Sequence, residues 1–342
     1  MGRWIALPGL LLCAVVLIAP QGIHALMLAA ILTASFALGC LLLALLQHMV
    51  HAQWGLFLID RFESGGGPWS FAVVALAMLP AWLHPASVYG WAHANVPSQE
   101  WWLSIGFFRW RSVFYLAAWA SLAAILRRAT KRGGYATDIA APAFFFVCLT
   151  GTFASFDWVM SLEQNFASTV FGMLFLAAST LGAMGICVAM LCMSEESPVF
   201  DQPLRRDYGN LLLTLLMLWA YLSFVQYLIC WSGNLRDEAD YFLRRARDGW
   251  DLLGDGLVAI GFFAPFLLLI TPRVRGSRLG LGLVAALIVP VWAGFIVWLA
   301  GPPLPTAWWL DVLAIAGVAL MVVAGYVRRP QELNQRRASV HA

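Results

Sequence analysis

Residues 25–46 read ALMLAAILTASFALGCLLLALL, and this stretch of 22 residues contains no Asp, Glu, Lys, Arg or His. A transmembrane helix needs about 20 mainly apolar residues, so the stretch predicts one. The rest of the chain agrees, because 61% of its 342 residues are hydrophobic, only 11% are charged, and the mean hydropathy is +0.78. A soluble domain carries about 25% charged residues. The composition predicts an all-α, polytopic integral membrane protein and excludes disordered and collagen-like chains.

The same criterion of length and hydropathy predicts about ten transmembrane helices in a single transmembrane domain over residues 1–342. Residues 328–342 are expected to form a short basic tail. The third and fourth stretches are short, and we expect their flanks to extend them. The predicted spans are Trp4–Ala19, Ala25–Leu46, Trp69–Leu83, Ser112–Leu126, Ile139–Phe156, Ser168–Met190, Asn210–Cys230, Leu252–Ile270, Leu279–Leu299 and Trp308–Tyr326.

The distribution of Lys and Arg between the loops predicts the orientation, because cytoplasmic loops carry the excess of these residues. Fifteen of the 21 lie on the side of the N-terminus, which is thereby predicted to be cytoplasmic, as is the C-terminus; they are Arg3, Arg61, Arg127, Arg128, Lys131, Arg132, Arg205, Arg206, Arg273, Arg275, Arg278, Arg328, Arg329, Arg336 and Arg337. The chain is thus expected in a bacterial inner membrane, with residues 84–110, 157–167 and 231–250 facing outward.

These three outward segments are rich in tryptophan. We assign most of these residues to the aromatic belt at the membrane–water interface, where an amphipathic ring is favoured. They are Trp91, Trp101, Trp102, Trp110, Trp158, Trp231 and Trp250.

Metal, haem and nucleic-acid functions receive no support from the sequence. The six cysteines lie in or beside apolar stretches and show no C-x-x-C spacing, so we expect no metal and no covalent haem. A net charge of +3 is too small to indicate nucleic-acid binding. The run Gly65 to Gly67 is interpreted as a flexible loop, because neither a strand nor a Lys-Ser/Thr pair flanks it as in a phosphate-binding loop.

Ionisable residues at membrane depth are costly, which makes each of them a functional candidate. Asp157 ends the fifth span and Glu163 follows it, so both could exchange protons. The alternative is a structural pairing with Arg109 or Arg111, which are predicted on the same side of the membrane.

Three further residues are candidates for proton exchange. His48 and His51 are three residues apart at the end of the second span, where they would share a helical face; the alternative is an interfacial histidine pair bonded to loops or lipid headgroups. Asp255 lies four residues after Asp251 near the start of the eighth span. Asp251 is explained by the helix dipole, whereas Asp255 is one turn deeper.

Two motifs resemble the membrane subunits of alternative complex III, a quinol:cytochrome c oxidoreductase. The first is FASFDWVMSLE at residues 153–163, followed by Ser168 and Thr169, and the second is MLWAYLSFVQYLI at 217–229, which continues into WSGNL at 231–235. They resemble most the ActF-type subunit, a member of the NrfD/PsrC-like superfamily. Weaker matches extend the resemblance over about residues 40–270.

The resemblance implies a non-autonomous subunit built from NrfD-like helix bundles. It implies a paralogous quinone-binding membrane subunit, a periplasmic iron–sulfur protein, cytochrome c subunits and a terminal oxidase as partners. Haem c and iron–sulfur clusters would be held by those partners, and a quinone or quinol could contact this chain, which would bind no cofactor of its own. One departure concerns residues 164–166, where Gln-Asn-Phe replaces the Pro-His-Trp common in the family.

Three functions compete at this point. The first is a subunit of a quinol-oxidising complex that contributes a proton path or the scaffold beside the quinone. The second is a purely structural subunit that docks periplasmic cytochrome and iron–sulfur partners. The third, a secondary transporter, requires broken helices in corresponding halves, and Pro142 and Pro290 do not correspond in this way.

Overall fold

The computed structural model describes residues 2–93, 101–163, 165–194 and 202–327. No residue within these ranges belongs to a β-strand, and most of them are helical. The predicted all-α class is therefore confirmed. Gln164, which belongs to the departure from the family motif, and the predicted basic tail at residues 328–342 lie outside the described residues.

Fifteen α-helices are numbered here in chain order, and short 3-10 turns lie between some of them. The first eight are α1 Gly2–Ile18, α2 Gly22–Val50, α3 Gln53–Leu56, α4 Ile59–Gly65, α5 Pro68–Leu83, α6 Ile105–Lys131, α7 Thr137–Trp158 and α8 Phe171–Met193. The others are α9 Gln202–Gly233, α10 Arg236–Arg244, α11 Trp250–Gly256, α12 Ala264–Ile270, α13 Pro272–Gly276, α14 Arg278–Ala300 and α15 Trp308–Val327. A π-helical segment, Leu257–Phe263, joins α11 to α12.

Each predicted span falls largely on one helix, except the eighth, which follows α11, the π-helical segment and α12. Eight stretches of the described chain are long and apolar enough to cross a membrane: Gly22–Val50, Ile59–Leu83, Thr137–Leu162, Phe171–Met193, Gln202–Gly233, Trp250–Ile270, Arg278–Ala300 and Trp308–Tyr326. The first predicted span forms α1, which has only 17 residues. The fourth forms α6, whose 27 residues include arginines near both ends. The third span is longer than predicted, because α4 precedes α5 and the two together form the apolar stretch Ile59–Leu83.

Helices α2 and α8 form the centre of the bundle. In their most apolar segments 94% and 83% of the residues are buried, against 28% for α9 and 22% for Trp250–Ile270. Small residues allow the two central helices to approach closely, because a Cβ atom on Gly39 would lie 2.0 Å from the Ser179 carbonyl oxygen. At this crossing the Ser35 and Ser179 hydroxyls are 2.8 Å apart, and Trp292 Nε1 of α14 donates to Ser35 Oγ. Such contacts between small and polar residues hold helices together in lipid, where hydrophobic burial gives little drive.

The prediction of a flexible loop at Gly65 to Gly67 is wrong. All three glycines are buried. A Cβ atom on Gly65 would lie 2.5 Å from Cys40 Sγ, and one on Gly66 would lie 2.6 Å from the Leu41 backbone nitrogen. The run is a tight junction that brings the backbone between α4 and α5 against α2, and it requires residues without side chains.

The bundle has two ends, which we call the terminal end and the connector end. Helices α1 and α15 are antiparallel, since Gly9 lies against Met321 and Cys13 against Gly317. The start of α1 and the end of α15 therefore share the terminal end. The connector end carries the three segments that are predicted to face outward, within the described residues, and Tyr89 Oη donates to the Trp158 carbonyl oxygen there.

Candidate functional site: three buried ionic centres

Asp157 lies at the connector end, at the last turn of α7, and its side chain is fully buried. Arg111 of α6 binds it in bidentate fashion, with Nη2–Oδ1 and Nε–Oδ2 distances of 2.7 and 2.9 Å. Trp102 Nε1 donates to Oδ1 at 3.0 Å, and the Tyr115 hydroxyl donates to Oδ2 at 3.1 Å. Both carboxylate oxygens therefore accept two hydrogen bonds each, and a proton moving onto this group would displace a donor.

Arg111 is itself enclosed. Its Nη1 donates to the Trp102 carbonyl oxygen at 2.8 Å, and its guanidinium carbon lies 4.0 Å from the centre of the Trp102 ring and 4.2 Å from that of Phe107. Arg109, the other predicted partner, instead donates to carbonyl oxygens of Trp82 and Leu83 at the end of α5. The pairing interpretation of Asp157 is thus confirmed for Arg111 and wrong for Arg109.

Glu163 forms a second ionic centre at the connector end, just after the 3-10 turn that follows α7. Arg244 Nη1 lies 2.6 Å from its Oε2, and Arg245 Nη1 lies 3.1 Å from its Oε1. The two arginines differ in burial, because the Arg244 side chain is 55% exposed and that of Arg245 is 1% exposed. Buried pairs are screened little by salt, while exposed ones contribute little to stability. Arg245 is accordingly the main partner.

Arg245 holds the segment between α9 and α11 against the rest of the bundle. It donates to the Trp298 and Leu299 carbonyl oxygens of α14 at 3.0 and 2.8 Å. Its guanidinium carbon lies 3.5 Å from the centre of the Tyr241 ring, which stacks on Phe166 at 3.9 Å. Burial raises the pKa of Tyr241 to about 12, although Arg245 opposes the shift. This centre thus ties the α7–α8 connection to α10 and α14.

His48 forms a third buried centre, at the terminal end of α2. Its Nε2 lies 3.1 Å from Glu63 Oε1, and its Nδ1 accepts the Ala136 backbone N–H at 3.1 Å. An Nδ1 that accepts carries no proton, so in this arrangement the proton of the neutral ring is on Nε2 and is donated to Glu63. The Thr130 hydroxyl donates to the same Glu63 oxygen. One carboxylate thus receives a histidine from α2 and a hydroxyl from α6.

His51 lies outside this centre. It ends α2 in a left-handed conformation with φ of 52°, so the helical spacing to His48 is broken. Its Nε2 lies 3.0 Å from Thr137 Oγ1, and its side chain is exposed. The rings of His48 and His51 both contact Tyr135. His51 is thus an exposed histidine bonded to the first residue of α7, close to the interfacial interpretation. His48 instead has an ionic partner.

Asp255 does not join any of the three centres. It lies near the end of α11, immediately before the π-helical segment, and is exposed. Asp251 lies in the first turn of the same helix, as expected for an acid that complements the helix dipole.

The structure separates the five predicted residues and adds partners that the sequence does not reveal. Asp157 and Glu163 lie at the connector end, and the two histidines lie at the terminal end. The added partners are Glu63, Thr130, Arg244 and Arg245. The only sequence signal for Glu63 is its position two residues before the glycine run, in the polar stretch from Asp60 to Ser64. The interpretation of the glycine run as a flexible loop conceals this signal.

Two of the seven tryptophans are exceptions to the predicted interfacial belt. Trp91 and Trp158 are buried, and Trp158 Nε1 donates to the Ser112 hydroxyl. Trp101, Trp110 and Trp231 are largely exposed, as the belt requires. Trp102 packs on Phe153 and bonds to Asp157 of α7, whereas the neighbouring Trp101 and Trp110 lie at the surface.

The two motifs that carry the family resemblance contact each other. Ser168, which follows the first motif, donates through its hydroxyl to Gln226 Oε1 in the second. Gln226 is buried and its Nε2 lies 3.4 Å from Cys230 Sγ. The two motifs thus form one structural unit at the connector end.

Among the described residues, no group of three or more His, Cys, Asp or Glu side chains is placed to hold a metal ion. No family model matches the sequence, and no curated protein matches it significantly.

Proposed function

We propose that this chain is a membrane subunit of a quinol-oxidising respiratory complex of the alternative complex III type. In this role it supplies a rigid membrane scaffold and a proton-exchange group, while partner subunits with haem c and iron–sulfur clusters carry the electrons. The paralogous quinone-binding subunit holds the quinol. The chain acts as part of the complex and has no activity alone.

The contact between the two resembling motifs is the observation that carries this proposal. Segments 153–168 and 217–235 are far apart in sequence, yet Ser168 bonds to Gln226, and Glu163 of the first motif is held by arginines that follow the second. Residues that resemble one family and also form one buried unit support a shared architecture more strongly than either motif alone.

The proton-exchange role is assigned to His48 and Glu63. A histidine with a buried carboxylate partner is suited to proton transfer. Because this pair lies at the terminal end, which is predicted to be cytoplasmic, it would serve the cytoplasmic side of a proton path coupled to quinol oxidation. Asp157 and Glu163 are less suited, because arginine guanidinium groups already occupy their oxygens. They are better explained as fixed structural ions that shape the connector end.

Purification of the tagged full-length chain from its native membrane tests the complex itself. We expect c-type cytochromes and an iron–sulfur protein to co-purify in fixed ratio, detectable by haem staining, iron content and mass spectrometry. Recovery of the chain alone, under conditions that preserve other respiratory complexes, would contradict the proposal.

Variants in the assembled complex test the proton-exchange role. Glu63→Gln is expected to lower quinol oxidation by about 100-fold or more, the usual range for a lost proton-transfer group, with unchanged subunit composition. Asp207→Asn is the matched control, since Asp207 is an exposed acid near the start of α9, and it should retain full turnover. Equal turnover in both variants would exclude the proton-exchange role and would leave only the scaffold role for this chain.

The second candidate function is a purely structural subunit. It is favoured because the carboxylate oxygens of Asp157 and Glu163 are already bonded to arginines. In this case the exposed charges of α10 would be docking surface for periplasmic partners. The double charge reversal Arg236→Glu/Asp237→Arg, two exposed residues, should then release cytochromes from the purified complex while the Glu63→Gln variant has no effect.

A further inference from the structure

An open groove lies between α6 and α7, near the five-residue loop that joins them. Its volume is about 450 Å³, and its walls are almost entirely apolar; they are formed by Ala118, Ser121, Leu122, Ile125, Ile139, Pro142, Ala143 and Phe146. Small residues on both helices create the space. Several of the wall residues are exposed at the surface of the bundle, so the groove opens toward the lipid.

Positive charges continue the same helical face toward the membrane surface. Residues separated by three or four positions share a face of a helix, and Ser121, Ile125, Arg128 and Arg132 follow this spacing. At 1.5 Å per residue, Arg128 and Arg132 lie roughly 5 and 10 Å beyond Ile125. Lys131 lies in the same turn as Arg128, and these three cations are exposed.

These three cations have no partner among the described residues. Arg128, Lys131 and Arg132 form no ion pair and no side-chain hydrogen bond with the residues described in the structure. The one acid close to them in sequence is Asp138, which is exposed in the first turn of α7. A net positive surface thus lies at the mouth of an apolar groove.

We infer that this hairpin binds one anionic phospholipid of the adjacent leaflet. Its acyl chain lies in the groove between α6 and α7, and its phosphate contacts Arg128, Arg132 and Lys131. The pattern of an apolar slot that ends in unpaired cations matches a diacyl lipid with a charged headgroup. Anionic headgroups are attracted to juxtamembrane Lys and Arg.

A quinone tail would also fit the apolar part of the groove, but it carries no charge for the three cations. The groove walls contain only the Ser121 hydroxyl as a polar side-chain group, and this hydroxyl donates to the Ala117 carbonyl oxygen. No group in the walls is therefore placed to recognise a quinone ring, and the charge complementarity favours the phospholipid.

Native mass spectrometry of the full-length chain in detergent tests the inference, with phosphatidylglycerol and phosphatidylethanolamine added in equal amounts. We expect the wild-type chain to retain one phosphatidylglycerol preferentially. The Arg128→Gln/Arg132→Gln variant should retain it about thirtyfold less, given the attraction of each of the two cations. The control is Arg206→Gln/Arg273→Gln, which removes two exposed cations outside the hairpin and should behave as wild type.

A second variant blocks the groove without changing charge. Ser121→Phe should abolish retention and also abolish cross-linking of α6 by a photoreactive phosphatidylglycerol. Thr214→Phe is its control, because Thr214 is an exposed residue of α9 with the same bond to the preceding turn. Equal retention in all variants, or competition by a ubiquinone analogue that removes the lipid from the Ser121 region, would overturn the inference.

Discussion

Asp157 and Arg111 form a buried ion pair, in which the two side chains are 0% and 6% exposed. Removal of one partner from a buried pair costs about 3–5 kcal/mol, because the remaining charge is left uncompensated. Arg111→Gln should therefore lower the thermal stability of the purified protein strongly. Arg109→Gln is the control, since it removes only bonds to the end of α5, and it should cost about 1 kcal/mol.

The double variant Arg111→Gln/Asp157→Asn distinguishes charge from packing. It should be more stable than Arg111→Gln alone, because it leaves no unpaired buried carboxylate. Unfolding can be followed with a thiol-reactive dye, since Cys40 and Cys187 are fully buried in the folded protein. If the double variant is as unstable as the sum of the single changes, the pair has no coupling and this account of Asp157 fails.

The raised pKa of Tyr241 predicts that the protein loses stability at high pH. Its pKa is raised from 10.0 to about 12, chiefly by burial. The folded state holds the proton of Tyr241 more tightly than the unfolded state. The contribution of Tyr241 to the free energy of unfolding is therefore fully present below pH 10 and is lost as pH rises from 10 to 12. Two pKa units correspond to about 2–3 kcal/mol.

Tyr241→Phe should therefore show a shallower fall in melting temperature between pH 10 and 12 than the wild type, at equal salt. Tyr221→Phe is the control, because Tyr221 is 63% exposed, and it should leave the wild-type slope unchanged. Parallel slopes for wild type and Tyr241→Phe would exclude Tyr241 as the responsible group.

At the scale of elements, the packing of α2 on α8 depends on Gly39. A Cβ atom at this position would approach the Ser179 backbone to 2.0 Å, so Gly39→Ala must separate the helices or shift the backbone. We expect a loss of about 1–3 kcal/mol, typical of overpacking. Gly106→Ala in α6 is the matched control, because no atom lies within 4 Å of the position that its methyl group would take; it should be neutral or slightly stabilising.

The melting temperatures of these two variants measure the effect directly. A loss of stability confined to Gly39→Ala would agree with the close crossing. Equal melting temperatures would mean that α2 and α8 are farther apart than the structure has them.

At the scale of the whole molecule, orientation in the membrane stays a prediction. The structure places the start of α1 and the end of α15 at one end, opposite the three connecting segments, and the excess of arginine predicts that the terminal end is cytoplasmic. Single-cysteine labelling in intact cells tests it. Arg236→Cys should react with an impermeant maleimide from outside, and Arg273→Cys should react only after the membrane is opened.

The helices were predictable because apolar length is a local property of the sequence. All ten predicted spans lie in helices, although α1 is short and α6 is polar at both ends. The buried centres were only partly predictable, because pairing joins residues distant in sequence. Glu163 and Arg245 are 82 positions apart, and hydropathy contains no information on which arginine an acid will reach. Glu63 was missed for another reason, since helix α4 is seven residues long and precedes a glycine run.

The central position of α2 has a consequence for biosynthesis. This helix leaves the ribosome early, yet Ser179, to which Ser35 bonds, follows 144 residues later, and Trp292 follows 257 residues later. At about 5–20 residues per second, α2 exists for a time on the order of ten seconds before its partners are synthesised. During this time Gly39 and the Ser35 hydroxyl have no helix packed against them. A translation arrest before residue 171 would strand it in this state, exposed to mispairing and to quality-control proteases.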